Sequence, residues 1–218
     1  LFDVSHMGEI LCQGEAALEN LNHLLTNDFT GMEDGRARYS PMCNEEGGVV
    51  DDLIVYKIRD NHYFIVVNAS NKDKDFAWMK AHQLPGAEFT DISATVSQLA
   101  LQGPLAGEIL RKVAAPGDIP GKYYSCVPRG TAAGIPCLIS KTGYTGEDGF
   151  HILLLRQGKT VSRLSGAVDW TAPALREVLR TRLPSTCAVP LVETPIPVYT
   201  RVCFPYGSIC CYGGICYV

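Results

Sequence analysis

The chain has 218 residues, of which 46% are hydrophobic and 19% charged, and its formal net charge is −4. Those values describe a globular chain with a sizeable core and exclude a disordered or fibrous one. The absence of a long basic run to neutralise phosphates argues against nucleic acid as the main partner, and with no apolar run of about 18 residues no transmembrane helix is expected.

Residues 1–13 alternate as a strand that Gly14 closes. Ala17, Leu18, Leu21, Leu24 and Leu25 then fall on one face of an amphipathic helix over 15–25. A strand over 36–43 leads into Asn44-Glu45-Glu46-Gly47-Gly48, a hairpin connection whose glycines supply positive φ. The next strands are 49–58 and 63–68, with a turn at Asp60-Asn61. This meander sets Tyr39, Asp52 and Asn68 on neighbouring strands. Residues 71–82 read as a helix with Phe76 and Met79 inward and its Lys and Asp side chains outward. A strand over 99–102 precedes a short helix carrying Leu105, Ile109 and Val113. The Pro/Gly-rich stretch 114–121 is the candidate boundary, followed by strands 123–127 and 135–141, the glycine-rich loop 142–149 and a strand over 150–155. The order is that of an α+β fold with antiparallel sheets and packed helices.

Asp51 and Asp52 interrupt the apolar, β-branched run from Val49 to Tyr56. A buried carboxylate without a partner costs several kcal/mol, or about that much in shifted pKa, so a strand retains one where a donor or ligand meets it. Side chains alternate along a strand, so the two acids face opposite sides and only one can look into a given cavity. The loop TGYTGEDG lacks the Lys-Ser/Thr ending of a P-loop and the G-x-G-x-x-G order of a dinucleotide site, which rejects both. His6, His23, His62 and His82 have no ligand spacing. Cys12, Cys43, Cys126 and Cys137 are scattered as reduced thiols of a reducing compartment would be. Cys187, Cys203, Cys210, Cys211 and Cys216 crowd the tail without CxxC spacing, and no metal site is read there.

The strings LFDVSHMGEI, RYSPMCNEEGGVVDDLIVY, FIVVNASNKDKD, LALQGP and TGYTGEDGF together resemble the aminomethyltransferase family, the T-protein of the glycine cleavage system, across about residues 1–155. The resemblance implies two intertwined folate-binding subdomains: residues 1–113 and 122–183 form two parts of one domain, degraded after 156. The family's C-terminal β-barrel is absent, and 184–218 reads as an aberrant tail or a β-rich appendage. It also implies transfer of a one-carbon unit from the aminomethyl-lipoyl arm of the H-protein to tetrahydrofolate, with release of ammonia. The chain would then be a truncated monomer, bacterial and cytoplasmic or eukaryotic and of the mitochondrial matrix.

Carried over residue by residue, Asp52 is the catalytic carboxylate. Tyr39, Tyr56 and Tyr144 line the folate cavity, Met7 is part of its wall, and Asn68 offers a donor and an acceptor. Arg176, in PALREVLR, takes the place of a folate-contacting arginine. His151 stands where the family reads glutamate, and an imidazole accepts at one nitrogen where a carboxylate accepts two N–H groups side by side. Two other readings stay open, a folate-binding relative that does not transfer and an inactive gene fragment. Lys141-Thr142-Gly143-Tyr144-Thr145-Gly146 lacks the cysteine of the non-transferring relatives' K-G-C-Y-x-G motif, which favours the transferase.

Overall fold

Alternating side chains along two groups of strands give each a face to bury, and the chain resolves this by stacking two sheets with helices on their outer faces. The structure is a computed structural model and describes residues 1–155. The first sheet contains β2 (Gly8–Gln13), β3 (Ala37–Cys43), β4 (Val49–Arg59), β5 (His62–Val67) and β6 (Glu88–Asp91), in the order β3-β4-β5-β2-β6. The second contains β1 (Phe2–Asp3), β7 (Val96–Gln102), β8 (Ser125–Ala132), β9 (Ile135–Lys141) and β10 (Gly149–Leu155), in the order β1-β7-β10-β9-β8. Every pairing is antiparallel. The helices are α1 (Ala17–Leu24), α2 (Lys72–Ala81) and α3 (Ala106–Leu110).

The period of two sorts the core into three layers. Leu53 and Val55 of β4, with Tyr63, Ile65 and Val67 of β5, turn toward Leu21 and Leu24 of α1 and Met79 of α2. The intervening residues Tyr56, Phe64 and Val66 turn the other way and meet Val96, Cys126, Leu138 and Leu153 of the second sheet. On the far side of that sheet, Leu99, Leu101, Ile139, Phe150, Ile152 and Leu154 pack with Leu110 of α3. The middle layer places the candidate site, because Asp52 shares its face with Ile54 and Tyr56.

Four expectations change. Residues 1–13 are not one strand: β1 pairs with β7 in the second sheet, whereas β2 pairs with β5 and β6 in the first. The Asp3 side chain accepts from the Ser5 backbone N–H at 3.0 Å, a local turn that periodicity does not register. The edge strand β6 was not anticipated, since its four residues bury only Phe89. β8 starts later and runs further than residues 123–127, passing Pro128 and a bulge between Val127 and Gly130. As the edge of its sheet it tolerates both breaks. Asp75, expected on the outer face of α2, is wholly buried. The stretch 114–121 carries a 3-10 turn, Pro116–Asp118, between α3 and β8. Arg176, the segment 173–180, the five tail cysteines and residues 184–218 lie outside the described residues.

Candidate functional site

β4 separates the acids of the DD pair as strand geometry requires. Asp51 falls on the face that α2 covers and is buried, while Asp52 faces the layer between the sheets and is half-buried. The Asp52 carboxylate accepts from the Tyr39 hydroxyl (2.6 Å to Oδ2) and from Asn68 Nδ2 (2.8 Å to Oδ1). The same Asn68 nitrogen donates to Asp51 Oδ1 at 2.9 Å and to the Asp52 carbonyl oxygen at 3.1 Å, so one amide spans both acids. Its bond to Asp52, burial and the nearby negative charge push the Tyr39 hydroxyl up to about 12, which keeps it a donor. Asp51 also accepts from the Asp52 N–H at 2.8 Å. Burial drives its pKa upward, but the hydrogen bonds from Asn68 and the Asp52 N–H, with the Asp75 carboxyl and the Asn71 side chain nearby, prevail and hold it below the ordinary carboxylate value.

A second polar group lies in the same layer. Tyr56 is 1% exposed, and its hydroxyl is 3.3 Å from both Ser140 Oγ and Thr142 Oγ1. Ser140 Oγ and Thr142 Oγ1 are 2.7 Å apart, and Thr142 Oγ1 lies 2.8 Å from His151 Nδ1. Tyr144 is 58% exposed and stacks on His151 with centroids 6.1 Å apart. Tyr56 is two positions along β4 from Ile54 and four from Asp52, a separation of roughly 13 Å. The layer therefore holds one carboxylate-centred cluster and one hydroxyl–imidazole cluster. Met7 is partly buried against the same layer.

Burial lowers the His151 pKa to about 4. The unfolded chain takes up this proton near pH 6.5 and the folded chain resists it, so the fold should lose stability as pH falls from about 6.5 toward 4. His151→Gln should flatten that part of the curve in urea titrations across the range. An unchanged curve would contradict the buried, neutral imidazole.

Tyr124 is the residue that sequence reasoning missed. It adopts φ 53°, unusual for a bulky side chain. Its N–H donates to the Lys141 carbonyl oxygen at 2.9 Å, and its own carbonyl oxygen accepts from the Ala37 N–H at 2.8 Å. The ring is 37% exposed and near enough to Tyr39 and Tyr56 for their phenols to interact electrostatically. The adjacent Tyr123-Tyr124 pair, between a Pro/Gly-rich stretch and a strand, was the available signal. Tyr39, Tyr124 and Tyr144 all expose ring surface beside this layer.

The exposed Tyr39 ring on the oriented carboxylate, with Tyr124 near it and Tyr144 further along the same layer beside His151, can seat a flat heteroaromatic ligand and hold positive charge or an N–H group against Asp52. The buried thiols are no nucleophiles, since burial pushes Cys12 and Cys126 up to about 12 and Cys137 to about 11.

Residues 1–161 match the family described as the GCVT N-terminal domain. The aminomethyltransferase of Desulforamulus reducens is 52% identical over 152 residues, which is 70% of this chain and 42% of that protein. The aminomethyltransferase of Thermotoga maritima is 47% identical over 155 residues, 71% of this chain and 42% of that protein. The chain thus spans less than half the length of the curated relatives it matches. A crystal structure of glycine cleavage system aminomethyltransferase T from Bartonella henselae superposes with a TM-score of 0.63 at 30% identity, over 82% of this chain and 49% of that one. Heterotetrameric sarcosine oxidase from Corynebacterium sp. U-96 superposes with a TM-score of 0.51 over 80% of this chain and 82% of that one. At 20% identity that likeness is one of fold alone.

Proposed function

The chain belongs to the GCVT N-terminal domain family, and from that premise we propose that it carries the catalytic carboxylate and part of the tetrahydrofolate site of a glycine cleavage aminomethyltransferase. The observation that supports this most directly is the half-buried Asp52 carboxylate, oriented by the exposed Tyr39 and by Asn68. In the proposed reaction the H-protein's lipoyl arm delivers an aminomethyl group, tetrahydrofolate accepts its carbon, ammonia leaves and the lipoyl sulfur is released as a thiol.

The protein's part is positioning and charge. Asp52 accepts an N–H of the folate and stabilises the positive charge that develops beside it. Tyr39 and Asn68 fix the rotamer of Asp52, so its orientation is set before the ligand arrives. Tyr39, Tyr124 and Tyr144 offer ring faces to the pterin and aminobenzoyl groups, with Met7 completing the wall. His151 acts as a neutral hydrogen-bonding group whose Nδ1 is already engaged by Thr142. Tyr56 supports that hydroxyl cluster from inside. Arg176 is assigned a folate contact on the family pattern alone. The partner is the lipoylated H-protein, and the chain acts as a monomer.

Calorimetric titration of the purified chain with tetrahydrofolate tests the reading. Saturable binding with a micromolar dissociation constant, about −8 kcal/mol, is expected. A folded chain that takes up no folate at millimolar concentration would overturn it.

A further inference from the structure

We propose that Asp75 is a positioning residue for the Asp52 site: its carboxyl shares one proton with that of Asp51, and the pair holds the Asn68 amide against Asp52. The proposal rests on the functional reading above only for what the site binds.

The geometry comes from two elements. Asp51 is on the helix-covered face of β4, and Asp75 is in the first turn of α2, wholly buried. Both Asp75 oxygens and Asp51 Oδ2 are buried without a hydrogen-bond donor, and the two carboxyls are near enough to interact electrostatically. Asp51 Oδ1 is already taken by Asn68 Nδ2 at 2.9 Å and the Asp52 N–H at 2.8 Å. Lys74 Nζ, half exposed, forms an ion pair with Asp75 Oδ1 at 3.5 Å. The same ammonium also donates to the Val50 carbonyl oxygen at 2.5 Å, so the ion pair offsets only part of the Asp75 charge. Two ionised carboxylates side by side in an apolar layer would repel with no donor between them. One proton removes the conflict: a neutral Asp75 donates to Asp51, which stays ionised and keeps its grip on Asn68.

Burial and the Asp51 charge raise Asp75 to about 7, so the proton is held under mildly acidic conditions and lost as pH rises through neutrality. The charged groups facing Asp75 are Lys74 on its own helix and Asp51 on β4. Of the other elements packed on α2, β2 contributes the buried Glu9, and β6 contributes the exposed Glu88 and Asp91. Losing the proton sets two anions against each other beneath Asn68, which loosens the amide that orients Asp52.

The test pairs a ligand-free signal with affinity, on the full chain. The Asn68 side-chain amide resonances should titrate with a midpoint near pH 7 in the parent and stay constant in Asp75→Asn, whose N–H donates to Asp51 at every pH. Tetrahydrofolate affinity should fall about tenfold between pH 6 and pH 8.5 in the parent and remain level in Asp75→Asn. Asp75→Ala should be about tenfold weaker at pH 6. A midpoint that persists in Asp75→Asn, or that disappears in Glu9→Gln, overturns the proposal, as does parental affinity in Asp75→Ala. Should no variant bind folate while the Asn68 titration behaves as described, the functional reading fails and the shared proton stands.

Discussion

Asp52→Ala weakens tetrahydrofolate binding by about 10- to 100-fold and leaves the thermal unfolding midpoint within a few degrees of the parent. The size follows from removing a charge-assisted hydrogen bond, about 1.5–3 kcal/mol, at a rate of 1.4 kcal/mol per decade of affinity. The fold survives because the side chain is only half-buried and its two donors have other outlets. Tyr39 is 46% exposed and can turn to water, and Asn68 keeps Asp51 Oδ1 at 2.9 Å. Calorimetry on the two chains decides the matter. Equal affinity would mean that Asp52 orders the strand end and touches no ligand. In an aminomethyltransferase of full length, Asp52→Asn should abolish one-carbon transfer while preserving the shape of the site, and equal turnover would sink the catalytic assignment.

Gly14→Ala should destabilise the fold by about 4 kcal/mol, combining backbone strain with overpacking. Gly14 closes β2 at φ +130°, and a Cβ there would lie 2.3 Å from the Gly86 carbonyl oxygen and 2.7 Å from the Ala87 Cα. Both are backbone atoms with no rotamer to yield. The same turn anchors α1, since the Ala17 N–H donates to the Gly14 carbonyl oxygen at 2.9 Å and the Ala16 N–H to that of Gly86 at 3.1 Å. Urea titration measures the loss as a shift in midpoint at constant slope. Gly47→Ala is the internal comparison. Gly47 also has positive φ, +81°, but a Cβ would meet nothing within 4 Å, so only conformational strain of about 1 kcal/mol is expected. Similar losses in the two variants would show that the Gly14–Gly86 approach is unimportant.

The central meander was legible because its signals agree: apolar alternation, β-branched residues, and turns rich in Gly and Asn over β3, β4 and β5. The opposed directions of Asp51 and Asp52 followed from the same period. What α2 does with Asp75 was not legible. In a run reading Lys-Asp-Lys-Asp, composition gives no cue to which acid turns inward, and only packing on β4 selects one. β8 was cut short for the opposite reason, because Pro128 and Gly130 punctuate a strand whose edge position makes both harmless. Tyr124 escaped notice because its role depends on residues about ninety positions away in sequence, beyond the reach of any local pattern.

That distance has a consequence for the order of assembly. The segment around Tyr124 hydrogen-bonds to the start of β3: Cys126 N–H to the Gly35 carbonyl oxygen at 2.6 Å, and Ala37 N–H to the Tyr124 carbonyl oxygen at 2.8 Å. β3 and β8 are the edge strands of their respective sheets, so these bonds stitch two edges together once each sheet exists. Contacts of such long loop closure form late. During refolding, the Ala37 and Cys126 amides should gain protection from hydrogen exchange after those of the β4–β5 hairpin. The aromatic rim beside Asp52 would then be among the last features of this unit to take shape, and among the first to open.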